Sequence, residues 1–147
     1  MRVVLDTNLV VRAAQPDASL ARAILLETMG DRHTLLMSNS LYFEIYKVLY
    51  YDRIRRQHGL DDGGIRGFME MLAKGCAPVV TRPITVGPLV PADPTDDHVL
   101  LTAIAGRADV LGTNNWHFFS ADVEQIAPGR GIQIVRDIDL IALLRRG

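Results

Sequence analysis

The chain opens with the sequence RVVLDTN at residues 2–8. An apolar run rich in valine ends abruptly at the charged Asp6, a pattern typical of a buried strand in a parallel sheet. Thr7 and Asn8 follow at once, and the apolar pattern resumes at residues 9–14 as a short helix. A buried strand that passes directly into a helix predicts an α/β fold.

The alternation of strand and helix continues to the end of the chain. Further strands are predicted at residues 33–37, 109–112 and 131–135. The stretch at 78–90 is predicted to be extended and proline-rich, with Val79, Val80, Ile84 and Val86 as strand candidates. Helices are predicted from an N-cap at Asp17 to Gly30, from Ser38 or Ser40 to Leu49, at 65–73, from Asp93 to about Gly106, and at 138–144. Residues 53–64 are predicted to form a helix end and an exposed loop. This order predicts a parallel sheet with helices on both faces.

The composition narrows the class of protein. The 147 residues are 48% hydrophobic and 22% charged, which excludes a disordered chain and favours one domain over residues 1–147. The formal net charge of -1 gives no overall basicity, so a local basic patch or bound cations would have to attract any nucleic acid. The lone cysteine, Cys76, excludes an intrachain disulfide and Cys-rich zinc motifs. No apolar run suits a signal peptide or a membrane span, so we expect a soluble, cytoplasmic protein.

Polar residues follow the predicted strands at the positions where parallel α/β sheets gather their functional groups. These residues are Asp6, Thr7 and Asn8; Ser38, Asn39 and Ser40; Asp96 and Asp97; and Thr113, Asn114 and Asn115. Glu44 lies about one turn into its helix and is expected to face the same crevice. Converging carboxylates repel one another unless cations compensate them, and an all-oxygen ligand set suits Mg²⁺ or Mn²⁺. The sequence therefore predicts a metal-dependent phosphoryl-transfer or nuclease site.

Each of these residues also has a simpler structural explanation. Asp6 could cap the helix that follows it, and Asp96 could belong to a capping arrangement that starts at Asp93. Glu44 could be a solvated surface charge, and the two asparagines after Thr113 could be turn formers. The order of the segments favours one converging site over these separate explanations.

Four segments resemble the PIN-domain family, in particular its bacterial toxins of toxin–antitoxin systems. They are VVLDTNLVV, SNSLYFEIYKVL, DPTDDHVLLTAIAGRADVLGT and TNNWHFF, and they span nearly the whole chain in the family's order. The resemblance implies a three-layer αβα fold around a five-stranded parallel sheet. It also implies a Mg²⁺- or Mn²⁺-dependent endoribonuclease that acts on RNA, is held inactive by a cognate antitoxin protein and forms a homodimer.

The resemblance also assigns roles to individual residues. Asp6 matches the first acidic residue of the family and Glu44 the second, while the third falls on Asp96, with Asp97 as the alternative. Asp6 and Asp96 would hold the metal ion, and Glu44 would orient water or help to bind a second ion. The small polar residues that orient the site correspond to Thr7, Asn8 and Thr113.

The chain departs from the family pattern at Asn115. The usual motif is Thr/Ser-Gly-Asp-x-His-Leu, and this sequence has TNNWHF at residues 113–118, so an asparagine stands where an aspartate is expected. An amide oxygen can ligate a hard cation, but it carries no negative charge and cannot act as a base.

Three functions remain open from the sequence. The first is the endoribonuclease toxin, and the second is a catalytically weakened PIN domain that binds RNA or a protein without cleaving. The third is a nucleotide-binding or phosphatase-like protein, against which stand the missing Asp-x-Asp after the first strand and the missing Gly-rich phosphate loop.

Several other side chains have competing explanations. The basic candidates for RNA contact, or for an ordinary solvated helix face, are Arg12, Lys47, Arg53, Arg55, Arg56 and Arg66. We interpret His98 and His117 as structural residues. For Trp116, Phe118 and Phe119 we favour a place in the core or an interface over stacking on a base. The tyrosines at positions 42, 46, 50 and 51 are predicted to line a dimer or antitoxin groove or to pack in the core.

Overall fold

A sheet of parallel strands forms the centre of the protein, whose computed structural model describes residues 1–81, 97–120, 123 and 127–146. The strands are β1 (Arg2–Leu5), β2 (Thr34–Ser38), β3 (Cys76–Val79), β4 (Val110–Gly112) and β5 (Gln133–Val135). They form one five-stranded sheet in the order β3-β2-β1-β4-β5, and every pairing is parallel. The predicted parallel α/β sheet is therefore confirmed.

Helices connect the strands and give the three-layer α/β arrangement. They are α1 (Thr7–Arg12), α2 (Ser19–Thr28), α3 (Asn39–Leu49), α4 (Asp52–His58), α5 (Asp62–Gly75), α6 (Asp97–Ala105) and α7 (Asp137–Arg146). A short 3-10 helix, Trp116–Phe119, follows β4. Within the described part of the chain, no helix is both long and apolar enough to cross a membrane.

The first strand is the centre of the core. β1 pairs with β2 on one side and β4 on the other, and Val3, Val4 and Leu5 are at most 1% exposed. Helix α6 packs against β1, and the apolar residues of the strand are almost inaccessible to solvent. This burial explains why the strand is apolar at successive positions and does not alternate with polar residues.

The segment after α3 differs from its prediction as a helix end and loop. Residues 52–58 form α4, which buries Ile54 and His58 one turn apart. The His58 ring donates from Nε2 to the Leu49 carbonyl at 2.8 Å and accepts the Leu60 N–H at Nδ1 at 2.9 Å. A buried histidine that satisfies two backbone groups replaces the apolar stripe, so the usual helix pattern is missing from the sequence.

Two predicted boundaries, the N-cap of α2 and the start of β3, were wrong by one and two residues. The N-cap of α2 is Ala18 and not Asp17, and no side chain caps this helix. The strand expected within residues 78–90 begins earlier, at Cys76, and Val80 beyond it is 89% exposed. Its other strand candidates, Ile84 and Val86, and the predicted helix start at 93–96 lie outside the described residues.

Candidate active site

The candidate site lies at the edge where the carboxyl ends of the parallel strands meet. A helix that connects parallel strands runs antiparallel to them, so its N-terminus returns to this edge. Asp6 follows β1, Thr113 follows β4 and Asp137 follows β5, while Asp97 begins α6. Residues that are far apart in the sequence are thus brought to one side of the sheet.

Asp6 is a buried carboxylate whose orientation is fixed by a threonine. It occupies the N-cap position of α1, yet its side chain makes no cap hydrogen bond. Instead, the hydroxyl of Thr113 donates to Asp6 Oδ2 at 2.8 Å, and the two residues are 0% and 2% exposed. Capping therefore does not explain Asp6, because its side chain makes no cap hydrogen bond and instead accepts from the threonine that follows β4.

Asn115 stands where the family pattern has an aspartate, and it makes hydrogen bonds that stabilise the local backbone. Its backbone N–H donates to Thr113 Oγ1 at 3.0 Å, and its side-chain Oδ1 accepts the His117 N–H at 3.1 Å. Asn115 is the N-cap of the 3-10 helix, so its amide oxygen satisfies a backbone donor that the helix leaves open.

A pocket of about 300 Å³ opens above Asp6. It is lined by Asp6, Asn8, Leu9, Arg12, Asn114 and Asn115. The lining therefore combines a buried carboxylate, amide groups and a guanidinium. A larger apolar pocket beside Phe118 and Ile132 is lined by none of the predicted site residues that the structure describes.

Asp137 is a residue of this site that the sequence reasoning missed. Asn114 Nδ2 donates to Asp137 Oδ2 at 2.8 Å, and the Asp137 N–H donates back to Asn114 Oδ1 at 3.1 Å. The same carboxylate oxygen lies 3.6 Å from Nη1 of Arg12. Asp137 is the second residue after the last strand, as Asn114 is after β4, so the rule that selected the other strand-end residues would also have selected it.

Glu44 lies on α3 but does not line the pocket above Asp6. The helix buries Leu41, Ile45 and Val48, and Glu44 borders that face with its side chain partly buried. The role of Glu44 stays a prediction.

The third acidic position is only partly described. Asp96 lies outside the described residues, whereas Asp97 begins α6 and is 8% exposed. Ser38, at the end of β2, contacts Thr102 Oγ1 at 2.7 Å, and Thr102 donates to the His98 carbonyl at 2.6 Å. The hydrogen bond between Ser38 and Thr102 joins α6 to the carboxyl edge of the sheet.

The donor chemistry of the described residues fits a hard divalent cation in part. The pocket offers the Asp6 carboxylate and asparagine oxygens, and the buried Thr7 hydroxyl next to Asp6 has no hydrogen-bond partner in the described ranges. No cluster of three Asp, Glu, His or Cys side chains suited to a metal occurs among the described residues. Mg²⁺ commonly takes one or two carboxylates and keeps several waters, so this incomplete set is compatible with it.

The aromatic and basic candidates are dispersed. Phe118 is fully buried, as expected of a core residue, while Trp116 is 67% exposed. Tyr42 donates to the Met69 carbonyl, and Tyr46 and Tyr50 contact each other on the outer face of α3. Arg55 pairs with Asp62 at 3.3 Å. Of the six basic candidates, Arg12 is the one that lines the pocket.

Three described groups outside the pocket lining have raised pKa values. Burial raises the pKa of the Cys76 thiol, which makes this thiol a poor nucleophile at neutral pH. The pKa of Tyr42 is raised, mainly by burial, and a hydrogen bond with Tyr46 raises the pKa of Tyr50. These groups pack around α3 and β3 and belong to the structural part of the molecule.

Comparison with known proteins agrees with this arrangement. Residues 2–117 match the sequence model of a family described as PIN domain, and this range covers β1 to β4. No curated protein matches the chain. The PIN fold is a nuclease-type fold whose members are generally metal-dependent nucleases acting on RNA. With more than half of its length matched, the chain belongs to the PIN-domain family.

Proposed function

We propose that this protein is a Mg²⁺- or Mn²⁺-dependent endoribonuclease. The observation that carries the proposal is the buried Asp6 carboxylate, which Thr113 orients at the floor of a polar pocket in a chain of the PIN family. Burying a carboxylate is costly unless hydrogen bonds or a cation compensate it. A site that keeps such a group beneath an open pocket is suited to binding a cation together with a phosphate.

The site residues have separate roles in the proposed reaction. Asp6 and Asp96, or Asp97 in its place, would hold the ion, and Glu44 would orient the attacking water. When bound, the ion polarises the phosphodiester and lowers the pKa of water. Thr113 keeps Oδ2 of Asp6 in one orientation, and Thr7 and Asn8 would position the substrate at the start of α1.

The resemblance extends the proposal to a biological role. We propose that the protein is the toxin of a type II toxin–antitoxin pair, acts in the cytoplasm as a homodimer and is inhibited by a cognate antitoxin. Expression of the protein alone should arrest cell growth, and the Asp6→Asn variant should not. Growth arrest by both forms would contradict toxicity through RNA cleavage.

Cleavage of a mixed RNA pool tests the nuclease directly. We expect wild-type protein to cleave in Mg²⁺ or Mn²⁺ and not in EDTA, and Asp6→Asn to lose the activity. The asparagine keeps an oxygen that can accept from Thr113, so a folded variant is expected, and circular dichroism checks this. Asp17→Asn is the matched control, because Asp17 is exposed and lies outside the pocket. Equal cleavage by all three proteins would contradict the proposal.

A second function is favoured by the cap at Asn115. Its side-chain oxygen already accepts the His117 N–H and it carries no charge, so it is a weaker ligand than the family's aspartate. The alternative is a PIN domain that binds RNA or a protein without cleaving. RNA binding by the wild type, with no cleavage in either metal ion, would select this alternative.

A further inference from the structure

A positively charged side chain, that of Arg12, lines the pocket above Asp6, and the family resemblance assigns no role to it. Arg12 is the last residue of α1 and lines the pocket together with Asp6 and Asn115. Its side chain is 45% exposed, so the guanidinium is accessible from solvent. Among the described residues that line this pocket it is the sole basic one, which places an anion-binding group beside a buried carboxylate.

The position of the guanidinium is set by neighbouring elements. Asp137 Oδ2 lies 3.6 Å from Arg12 Nη1 and accepts the Asn114 amide at 2.8 Å. Asn114 also accepts the Asp137 N–H, so the carboxylate is held between β4 and the start of α7. The Arg12 contact is longer than a charge-assisted hydrogen bond, and half-exposed ion pairs are weak. Asp137 can therefore orient Arg12 without preventing it from binding another anion.

We propose that Arg12 is a phosphate-binding residue of the substrate site and contacts a backbone phosphate of the bound RNA. The identification of RNA as the ligand rests on the proposed function. A guanidinium presents a planar fork of N–H donors that matches two phosphate oxygens. The overall charge of -1 provides no general attraction for a polyanion, so a local cation at the pocket has a large share in binding.

RNA binding in EDTA measures this contact without cleavage. The probe is a fluorescently labelled single-stranded oligoribonucleotide, and its anisotropy is followed over a range of salt concentrations. Arg12→Ala should weaken binding on the order of tenfold or more, because hydrogen bonds to charged groups are lost. It should also reduce the slope of log K against log[salt] by about 0.7, the loss of one phosphate contact to a single strand.

Two further variants separate a specific contact from general charge. Arg107→Ala removes the same charge at an exposed turn between α6 and β4, at the opposite edge of the sheet, and should bind like the wild type. Arg12→Lys should recover the salt slope but only part of the affinity, because lysine keeps the charge and loses the fork. Equal weakening by Arg12→Ala and Arg107→Ala would overturn the proposal and leave the proposed nuclease function standing.

A second probe distinguishes failure of this inference from failure of the proposed function. Inorganic phosphate is titrated into ¹⁵N-labelled protein, and the Nε–H signals of the arginines are followed by NMR. Selective movement of the Arg12 signal would support the phosphate site even if the protein neither binds nor cleaves RNA. Absence of a selective shift, together with normal RNA binding by Arg12→Ala, would overturn it.

Discussion

Thr113 and Asp6 lie 107 positions apart in the chain and are joined by a 2.8 Å hydrogen bond in which the threonine hydroxyl is the donor. The same hydroxyl accepts the N–H of Asn115 at 3.0 Å. One buried side chain thus connects the end of β1 to the loop after β4. The orientation of the central carboxylate depends on the pairing of these two strands.

Replacing Thr113 should weaken both the fold and the site. Thr113→Val keeps the shape but removes the hydroxyl to which both Asp6 and the Asn115 N–H are bonded, so we expect a loss of about 1–3 kcal/mol in the free energy of unfolding. Thr113→Ser keeps the hydroxyl and should retain RNA cleavage. Urea denaturation and the cleavage assay measure the two effects. A valine variant as stable and active as the wild type would contradict this role.

Restoring an acid at Asn115 should strengthen metal binding. Asn115→Asp adds a charge beside Asp6 while keeping an N-cap oxygen for His117, because aspartate and asparagine cap helices about equally well. We expect a larger rise of Tm on addition of Mg²⁺ than for the wild type, measured by thermal unfolding. Gln133→Glu is the control, since it adds the same charge at an exposed site outside the pocket. Identical Mg²⁺-dependent shifts in all three proteins would show that position 115 does not contact the ion.

Gly112 is expected to accept a side chain only at a cost in stability. A Cβ there would collide with Leu140 Cδ2 and lie 3.1 Å from Leu5 Cδ2, so the Leu140 side chain on α7 would have to move. Gly112→Ala should cost about 1–3 kcal/mol of stability from overpacking. Combining it with Leu140→Ala should cost less than the sum of the two single changes, since the clash is removed. Gly67→Ala, on the exposed face of α5, should instead stabilise by about 0.5–1 kcal/mol. Strict additivity in denaturant unfolding would argue against the contact.

The small side chain of Ser38 is expected to contribute to the stability of two helices. Its hydroxyl accepts the Leu41 N–H at 3.2 Å and contacts Thr102, so it both caps α3 and fixes α6. Ser38→Ala should lower the free energy of unfolding by about 1–3 kcal/mol, through the lost cap and an unpaired buried group. Ser19→Ala, at the exposed start of α2, should change it by less than about 0.5 kcal/mol. Chemical denaturation measures the free energy of unfolding of the two variants. Equal values would contradict the claim that Ser38 both caps α3 and fixes α6.

Local pattern predicted the fold well where burial alone determines structure. The apolar run before Asp6 predicted β1 within its observed bounds, because a central strand must be apolar on both faces. The segment that became α4 lacks such a run, since the buried His58 gains its stability from hydrogen bonds to backbone groups. Hydrogen bonds to distant backbone atoms leave no periodic signal in the sequence.

The candidate site was predictable only as far as strand ends could be found. Asp6, Thr113 and Asn115 follow strands and were identified in this way. Asp137 can bond to Asn114 only because β5 lies beside β4 in the sheet. The order of the strands along the sequence does not show which strands will be neighbours. The cap made by Asn115 depends on the 3-10 helix, which is too short to leave a pattern.

The dual use of position 115 has an evolutionary consequence. Codons for asparagine and aspartate differ by a single base, and either residue supports the turn that leads into Trp116. A lineage could therefore gain or lose the negative charge in one mutational step without rebuilding the surrounding loop. The charge of the pocket, and with it the affinity for a cation, would then change in evolution without a change in the stability of the fold.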